Sequence, residues 1–526
     1  MATDRVQQPI VTSESHHTGD SAAAATRSHI RGSSLLVAGN LISLGMNFIP
    51  HILLVRYLTM ENYGLWSYAL SVEAVCRNLS ISLNEPMSRF VAIYHEKREP
   101  AKVLGTITLT FGITLFIAFA IVAAFFISPH EIAALLTKGR EPAGLLLIII
   151  FLVPLEALDV LMMNLFACYG RARMIFIGRH ILGPGLRVIV IGLVLILHRG
   201  VNFLAFGSLV GQFIVLIVYC IVMVAQLKSD KLLTGMRVKD IKVPFREIFT
   251  YSAPLLVSNA ITLIDTTAVV MFLGFFHDMT DVAFYRVVVP AASLNNIVAA
   301  AFAALYIPSA SRLFSKGDGK GLNQMYWSTA SWMAVLTFPL FALTSCFSRP
   351  VVTFLYGARY QESAIILTML SVVFYFNVAL GFNGLTLKIT GKVWYVARIA
   401  GLAAVTGVIL NLLLIPKYGA VGAAIATSCT FLLHNIYKQV GLRLASGVKV
   451  FERKYVHFYS VIVIAALALF AINRMATFSI YTAILLVALT SIAVFLLVKK
   501  ELKLAETFPE IQKIPLVRRL LWSGQA

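Results

Sequence analysis

The sequence has little charge. Lys, Arg, Asp and Glu make up 13% of its 526 residues, about half the share of a soluble domain, so a water-soluble globular protein is excluded at the outset. Acid is scarcer than base, with 24 Asp and Glu against 44 Lys and Arg. There are five cysteines, Cys76, Cys168, Cys220, Cys346 and Cys429, all inside apolar stretches. They form neither a disulfide framework nor a zinc-ligand spacing and read as packing residues. The sequence has no HExxH, no GxSxG and no large polar segment. "GDGKG" at 317–321 lacks the Ser or Thr after Lys, and the preceding strand, that a phosphate loop needs. The "NLS" acceptor pattern at 78–80 falls within an apolar stretch, and His16-His17 has too few companions to hold a metal. No catalytic residue, metal or cofactor is therefore expected. The first 32 residues are polar and read as a disordered tail, and the apolar run that follows is too long for a cleavable signal peptide.

Apolar residues fill the space that charge leaves. The chain is 59% hydrophobic with a mean hydropathy of +0.83. Many runs reach the 18 or so residues that a helix needs to cross a hydrocarbon core about 30 Å thick. The runs are continuous rather than alternating, which selects helices over a barrel. Fourteen spans are predicted: 33–55, 63–87, 103–127, 143–166, 174–197, 201–225, 248–275, 282–306, 326–346, 363–387, 393–415, 421–440, 457–473 and 477–498. With the N-terminus in the cytoplasm, 32 of the 44 Lys and Arg fall on or beside cytoplasmic segments, 8 fall opposite, and four (Arg77, Arg187, Arg286 and Arg398) lie within spans. That bias places both termini in the cytoplasm. The net charge of +20 then faces anionic lipid, and no nucleic-acid partner is expected.

The chain also repeats itself. "LLVAGNLISL" (35–44) aligns with "LLVSNAITLI" (255–264), and "MENYGLWSY" (60–68) with "MTDVAFYRV" (279–287). "EPMSRF" (85–90) aligns with "YIPSASRL" (306–313), "CYGRARM" (168–174) with "ITGKVWY" (389–395), and the stretch around Gly200 with the one around Gly419. Five matches in one order, about 220 residues apart, make spans one to six and seven to twelve two copies of a six-helix unit. An even number of spans per copy makes the copies parallel. The expected organisation is a tail 1–32, an N-lobe 33–226, a basic cytoplasmic linker 227–247, a C-lobe 248–442, two added spans within 443–498 and a basic tail 499–526. Pro-x-Ser-Arg in the first copy and Pro-x-x-Ser-Arg in the second are expected to end a helix at the cytoplasmic surface, with Arg89 and Arg312 anchored at the headgroups.

Three stretches resemble a known family. "VRYLTMENYGLWSYA" (55–69) is similar to the first loop of polysaccharide-biosynthesis flippases, and "VTFLYGARYQESAIILTML" (352–370) to their element before span ten. "LKITGKVWYVARIAGLAAVTGVILNLLLIPKYGAVGAAIATS" (387–428) resembles their Pro-x-x-Gly-x-x-Gly-Ala-Ala loop. The chain is thus identified, over spans one to twelve, as similar to the multidrug/oligosaccharidyl-lipid/polysaccharide export superfamily. The resemblance implies two lobes around a cavity that opens alternately to each side of a bacterial cytoplasmic membrane. It implies a polyprenyl-pyrophosphate-linked oligosaccharide as cargo, with membrane lipids, a polysaccharide polymerase and glycosyltransferases as candidate partners. The motifs shape loops and packing and do not name the cargo.

Charged groups at membrane depth carry the chemistry. Each costs roughly 2.5–3.5 kcal/mol on insertion scales unless it faces a partner or a cavity. Arg77, Arg187, Arg286 and Arg398 are the candidate cargo-binding bases, because a guanidinium engages two phosphate oxygens at once. Glu73, Glu156, Asp159 and Asp265 are the candidate ion-coupling acids. Glu73 and Arg77, spaced i,i+4, either form a structural pair or hold an arginine that is released to phosphate. Arg187 either meets Glu156 or Asp159 from another span or faces an aqueous cavity. Asp265 either exchanges a proton or hydrogen-bonds to Thr266, Thr267 or Asn259. The functional reading is a flippase for surface-polysaccharide precursors, the glycan being destined for lipopolysaccharide, capsule or exopolysaccharide. The alternatives are a multidrug or cation antiporter of the same superfamily and a membrane glycosyltransferase or polymerase.

Overall fold

A computed structural model describes residues 45–81, 84–137, 143–229, 242–446 and 448–502. The expected tail 1–32, the linker's 230–241 and the end of the C-terminal tail lie outside them. All regular structure among the described residues is helical. Helix α1 covers 45–57, and Leu58-Thr59 makes the tight turn into α2, Met60–Ser80, whose N-cap is Thr59. There follow α3 (Asn84–Glu96), α4 (Pro100–Ile127), a short α5 (Pro129–Thr137), α6 (Ala143–Ile149) and α7 (Leu152–Cys168). Span five is α8 (Ala172–Phe176), a π-turn and α9 (Gly183–Ile196), and span six is α10 (Val201–Ser229).

The second half runs through α11 (Phe245–Phe276), α12 (Met279–Ser293), α13 (Ile297–Ser315), α14 (Gly319–Phe341) and a short α15 (Ser348–Tyr356). It ends with α16 (Ser363–Ala379), α17 (Asn383–Ile389) and the 54-residue α18 (Val393–Ser446). At 1.5 Å per residue α18 is far too long for one crossing. It is two spans broken at Gly419, whose φ of 52° and ψ of −131° are not helical. The added spans α19 (Val456–Met475) and α20 (Ile480–Val498) pack against each other and against α14.

Among the described residues ten stretches are long and apolar enough to cross a membrane. They cover eleven of the expected spans, since the 52-residue stretch Val393–Leu444 holds two. The other three expected spans correspond to α1, to α2 with its Glu73 and Arg77, and to α11. The chain is a multi-pass membrane protein with two six-helix lobes and two extra helices.

The repeat is visible in the backbone. Left-handed residues end equivalent helices at Arg98 (φ 54°) and Gly317 (φ 70°), at Gly170 (φ 65°) and Gly391 (φ 78°), and at His198 (φ 50°) and Gly419 (φ 52°). Short helices α5 and α15 follow span three and span nine alike. Two sequence expectations need correction. It is His198, not Gly200, that shares the left-handed conformation of Gly419. Pro-x-Ser-Arg and Pro-x-x-Ser-Arg also do not end a helix: Pro86 sits in the first turn of α3, which runs on to Glu96, and Pro308 lies inside α13, which runs on to Ser315. Proline lacks only its own N–H and is tolerated near a helix start or where a kink is absorbed. The ends come where the next residues turn left-handed, at Arg98 and Gly317.

The lobes meet mainly where α2 packs along α12 and against α11. They share one apolar core that holds Tyr68, Val72, Leu273, Met279, Val282 and Val288. A β-carbon at Gly64 would overlap the Met279 carbonyl, and one at Gly274 would overlap the Tyr68 ring. Glycine is therefore what lets these helices approach backbone to backbone.

Candidate functional site

A cavity of about 720 Å³ lies within the bundle. Its walls follow helical periodicity. Helix α2 contributes Trp66, Leu70, Glu73, Ala74 and Arg77, α9 contributes Gly183, Leu186, Arg187, Val190 and Ile191, and α10 contributes Leu204, Ser208, Gly211, Gln212 and Val215. Steps of three and four keep each set on one helix face. The cavity is completed by α1, which adds His51 and Leu54, by Glu156 of α7, and by Arg286 and Pro290 of α12. Five of the eight residues singled out from the sequence thus come together: Glu73, Arg77, Glu156, Arg187 and Arg286.

Their geometry centres on Glu156. Its Oε2 lies 2.5 Å from a terminal guanidinium nitrogen (Nη1) of Arg77, and its Oε1 lies 4.0 Å from Nη2 of Arg187. One carboxylate therefore sits between arginines of two other helices. Arg77 also keeps its i,i+4 partner, with Nε 3.5 Å from Oε1 of Glu73, which is only 3% exposed. The pairing expected along α2 exists, but the shorter contact is across helices. Arg187 satisfies both of its expectations, since it approaches Glu156 and stays 64% exposed toward the cavity. Arg286 crosses from the second half, with Nη2 3.4 Å from the hydroxyl of Ser71, to which it donates. Formally the lining carries three arginines against two glutamates. Each arginine has a polar partner in the protein and can also face a ligand.

Of the remaining three candidates, two stand elsewhere. Asp159, one helical turn beyond Glu156, does not line the cavity itself and is engaged with Tyr219 and with Gln212 of the cavity wall. Arg398 is exposed on α18 and does not line the cavity either. The side chain of Asp265 lies outside the described residues. His51, Ser71 and Gln212 are polar groups of the site that the sequence reading did not select. For Gln212 the signal was present, as an amide in an otherwise apolar span. Among the described residues no cluster of three or more His, Cys, Asp or Glu could hold a metal.

The charged cavity is thus walled by α1, α2, α7, α9 and α10 of the first half and by α12 of the second. Solved membrane proteins share the fold. The lipid II flippase MurJ, in an inward closed conformation, superposes with a TM-score of 0.70 at 16% identity, over 90% of this chain and 99% of that one. An inward-facing multidrug-resistance MATE-family transporter superposes with a TM-score of 0.60 at 12% identity, over 77% and 96%. At these identities the likeness is one of fold. A model of the polysaccharide biosynthesis protein family matches residues 29–314, more than half of the chain, and the chain belongs to that family. Two archaeal relatives share shorter regions. An uncharacterized membrane protein of Methanocaldococcus jannaschii is 28% identical over 37% of this chain and 38% of its own length. The probable low-salt glycan biosynthesis flippase Agl15 of Haloferax volcanii is 22% identical over 36% of this chain and 40% of its own. The matched regions thus span about two fifths of either relative.

Proposed function

We propose that this protein is a flippase which carries a polyprenyl-pyrophosphate-linked oligosaccharide across the cytoplasmic membrane of a bacterium by alternating access, with both chain ends in the cytoplasm. The product would supply lipopolysaccharide, capsule or exopolysaccharide, with the polymerase and glycosyltransferases of that system as partners. The supporting observation is the convergence of Arg77, Arg187 and Arg286 from three helices on one cavity. A pyrophosphate has oxygens enough for all three guanidinium forks, whereas Glu156 reaches only those of Arg77 and Arg187. In this reading the cargo displaces Glu156 from Arg77 and Arg187. Glu73 and Glu156 then restore the empty state, with Asp159 and Asp265 as further acids for ion coupling. Arg398 would serve at the membrane surface, outside the cavity.

One observation favours a second reading. Glu73 and Glu156 nearly balance the arginines within the same cavity, which would suit a multidrug or cation antiporter. Proteoliposomes decide between them. The flippase reading expects the native chain to move a defined lipid-linked oligosaccharide and not a lipophilic cation. Cation efflux without glycan movement would replace it.

A further inference from the structure

Two arginines outside the cavity make a reciprocal contact between the halves. On the side opposite the expected cytoplasmic face, α1 ends at residue 57 and α15 ends at Tyr356. The last carbonyls of a helix have no partner within it and carry the negative end of its dipole. Arg359, just after α15, donates to the carbonyls of Val55, Arg56 (3.0 Å) and Leu58 (2.7 Å) at the end of α1. Arg56, in the last turn of α1, donates back to the carbonyls of Phe354 and Leu355 (2.9 Å) at the end of α15. Each arginine thus caps the helix of the other half.

Beneath this contact lies an aromatic layer. Tyr63 and His51 are hydrogen-bonded at 2.8 Å, and the rings of His51, Tyr63, Tyr356 and Tyr360 pack edge to face. The guanidinium of Arg359 lies 5.2 Å from the ring centre of Tyr360. His51 also lines the cavity, so the layer borders the cavity through that ring. Three polar atoms in it, the hydroxyls of Tyr356 and Tyr360 and Nδ1 of His51, are buried without a hydrogen-bond partner in the protein. Wetting the layer would give them partners that closure withholds. Opposed preferences of this kind, strong caps above and unsatisfied groups below, are what a two-state gate needs.

We propose that Arg56 and Arg359 form a reversible latch that holds the halves together on the non-cytoplasmic side and sets how often the cavity opens there. The latch does not depend on what the cavity carries. Its test uses no cargo, so failure of the cargo reading would leave its result intact. A chain with its five native cysteines replaced receives one reporter, Ala74→Cys, on the cavity wall. A membrane-impermeant maleimide is applied from either face of sealed vesicles. Arg359→Ala and Arg56→Ala are each expected to raise labelling from the non-cytoplasmic face at least fivefold. Arg359→Lys should fall between native and Ala, because one ammonium replaces a fork reaching three carbonyls. Should Arg359→Ala fail to accumulate, Arg56→Ala and Arg359→Lys carry the test. Labelling within twofold of the parent in these variants, or a rise confined to the cytoplasmic face, would overturn the latch.

Discussion

The two halves share an architecture and differ in chemistry. Left-handed turns, short outer helices and span order recur about 220 residues apart, yet the cavity's charges do not. The residues 220 positions after Glu73, Arg77, Glu156 and Arg187 are Ser293, Ile297, Phe376 and Gly407. Among the described residues only Arg286 enters the cavity's charge cluster from the second half, and its counterpart 220 positions earlier is Trp66, which lines the same cavity. Duplication accounts for the scaffold and for the axis along which α2 meets α12. The charged face belongs to one copy. The second half instead supplies the packing platform for α19 and α20 and one arginine of the latch.

The largest expected effect breaks this asymmetry. Arg77→Ala or Arg187→Ala should lower surface glycan at least tenfold at normal membrane levels, since a charge-assisted hydrogen bond is worth about 1.5–3 kcal/mol. Arg187→Lys should keep part of the activity, and Arg398→Ala in the other half should stay within about twofold. Normal glycan in the first two variants would separate the charge cluster from function. Next comes the close approach of the halves. Gly64→Ala forces the α2 and α12 backbones apart and should destabilise the detergent-solubilised protein by roughly 1–3 kcal/mol. Gly192→Ala, whose β-carbon would meet nothing within 4 Å, should be neutral or slightly stabilising. Equal melting temperatures for the two variants would contradict the packing described.

Glu156→Ala removes the carboxylate shared by Arg77 and Arg187 and should destabilise by on the order of 1–3 kcal/mol, while Phe376→Ala at the equivalent place tests packing alone. Neutralising Arg77 as well should recover part of the loss only in the first case. The smallest effect is in the segment that precedes α19. Hydrogen bonds from Asn323, then Lys449, hold the Glu452 carboxyl below its ordinary range. Its folded pKa is depressed, so its contribution is present above the unfolded pKa and is lost as pH falls through the folded one. Exposed pairs are worth about 0.2–1 kcal/mol, and Glu452→Gln should flatten the acid limb of the melting curve by no more than that.

How much of this could be read from the sequence depends on how local each property is. Long apolar runs and the Lys/Arg bias give spans and order, and "IPKYG" announces the break at Gly419. Helix ends were less legible, because Pro86 and Pro308 look like stops and are absorbed. The charged residues were found by their cost in a membrane, and Glu73 with Arg77 and Arg187 with Glu156 were among the pairings considered, but the shortest contact, Glu156 with Arg77, was not. Glu156 meets Arg77 from 79 residues away, a contact set by how α7 docks on α2. Arg398 has the same composition signal as Arg187 but stands on α18, none of whose residues lines the cavity, and composition does not say which helices surround it. Arg56 and Arg359 did leave a trace, as exceptions to the bias against Lys and Arg on the side expected to be non-cytoplasmic, and an exception of that kind needs a local reason.

The most direct test of the account is whether the charges of the first half read a pyrophosphate. The measurement is transbilayer movement in proteoliposomes of one oligosaccharide carried either on a polyprenyl pyrophosphate or on an uncharged polyprenyl link. The account predicts that the native chain moves the pyrophosphate form at least tenfold faster and that Arg187→Ala loses this preference. Equal rates for the two cargoes, or a preference that survives in Arg187→Ala, would contradict it.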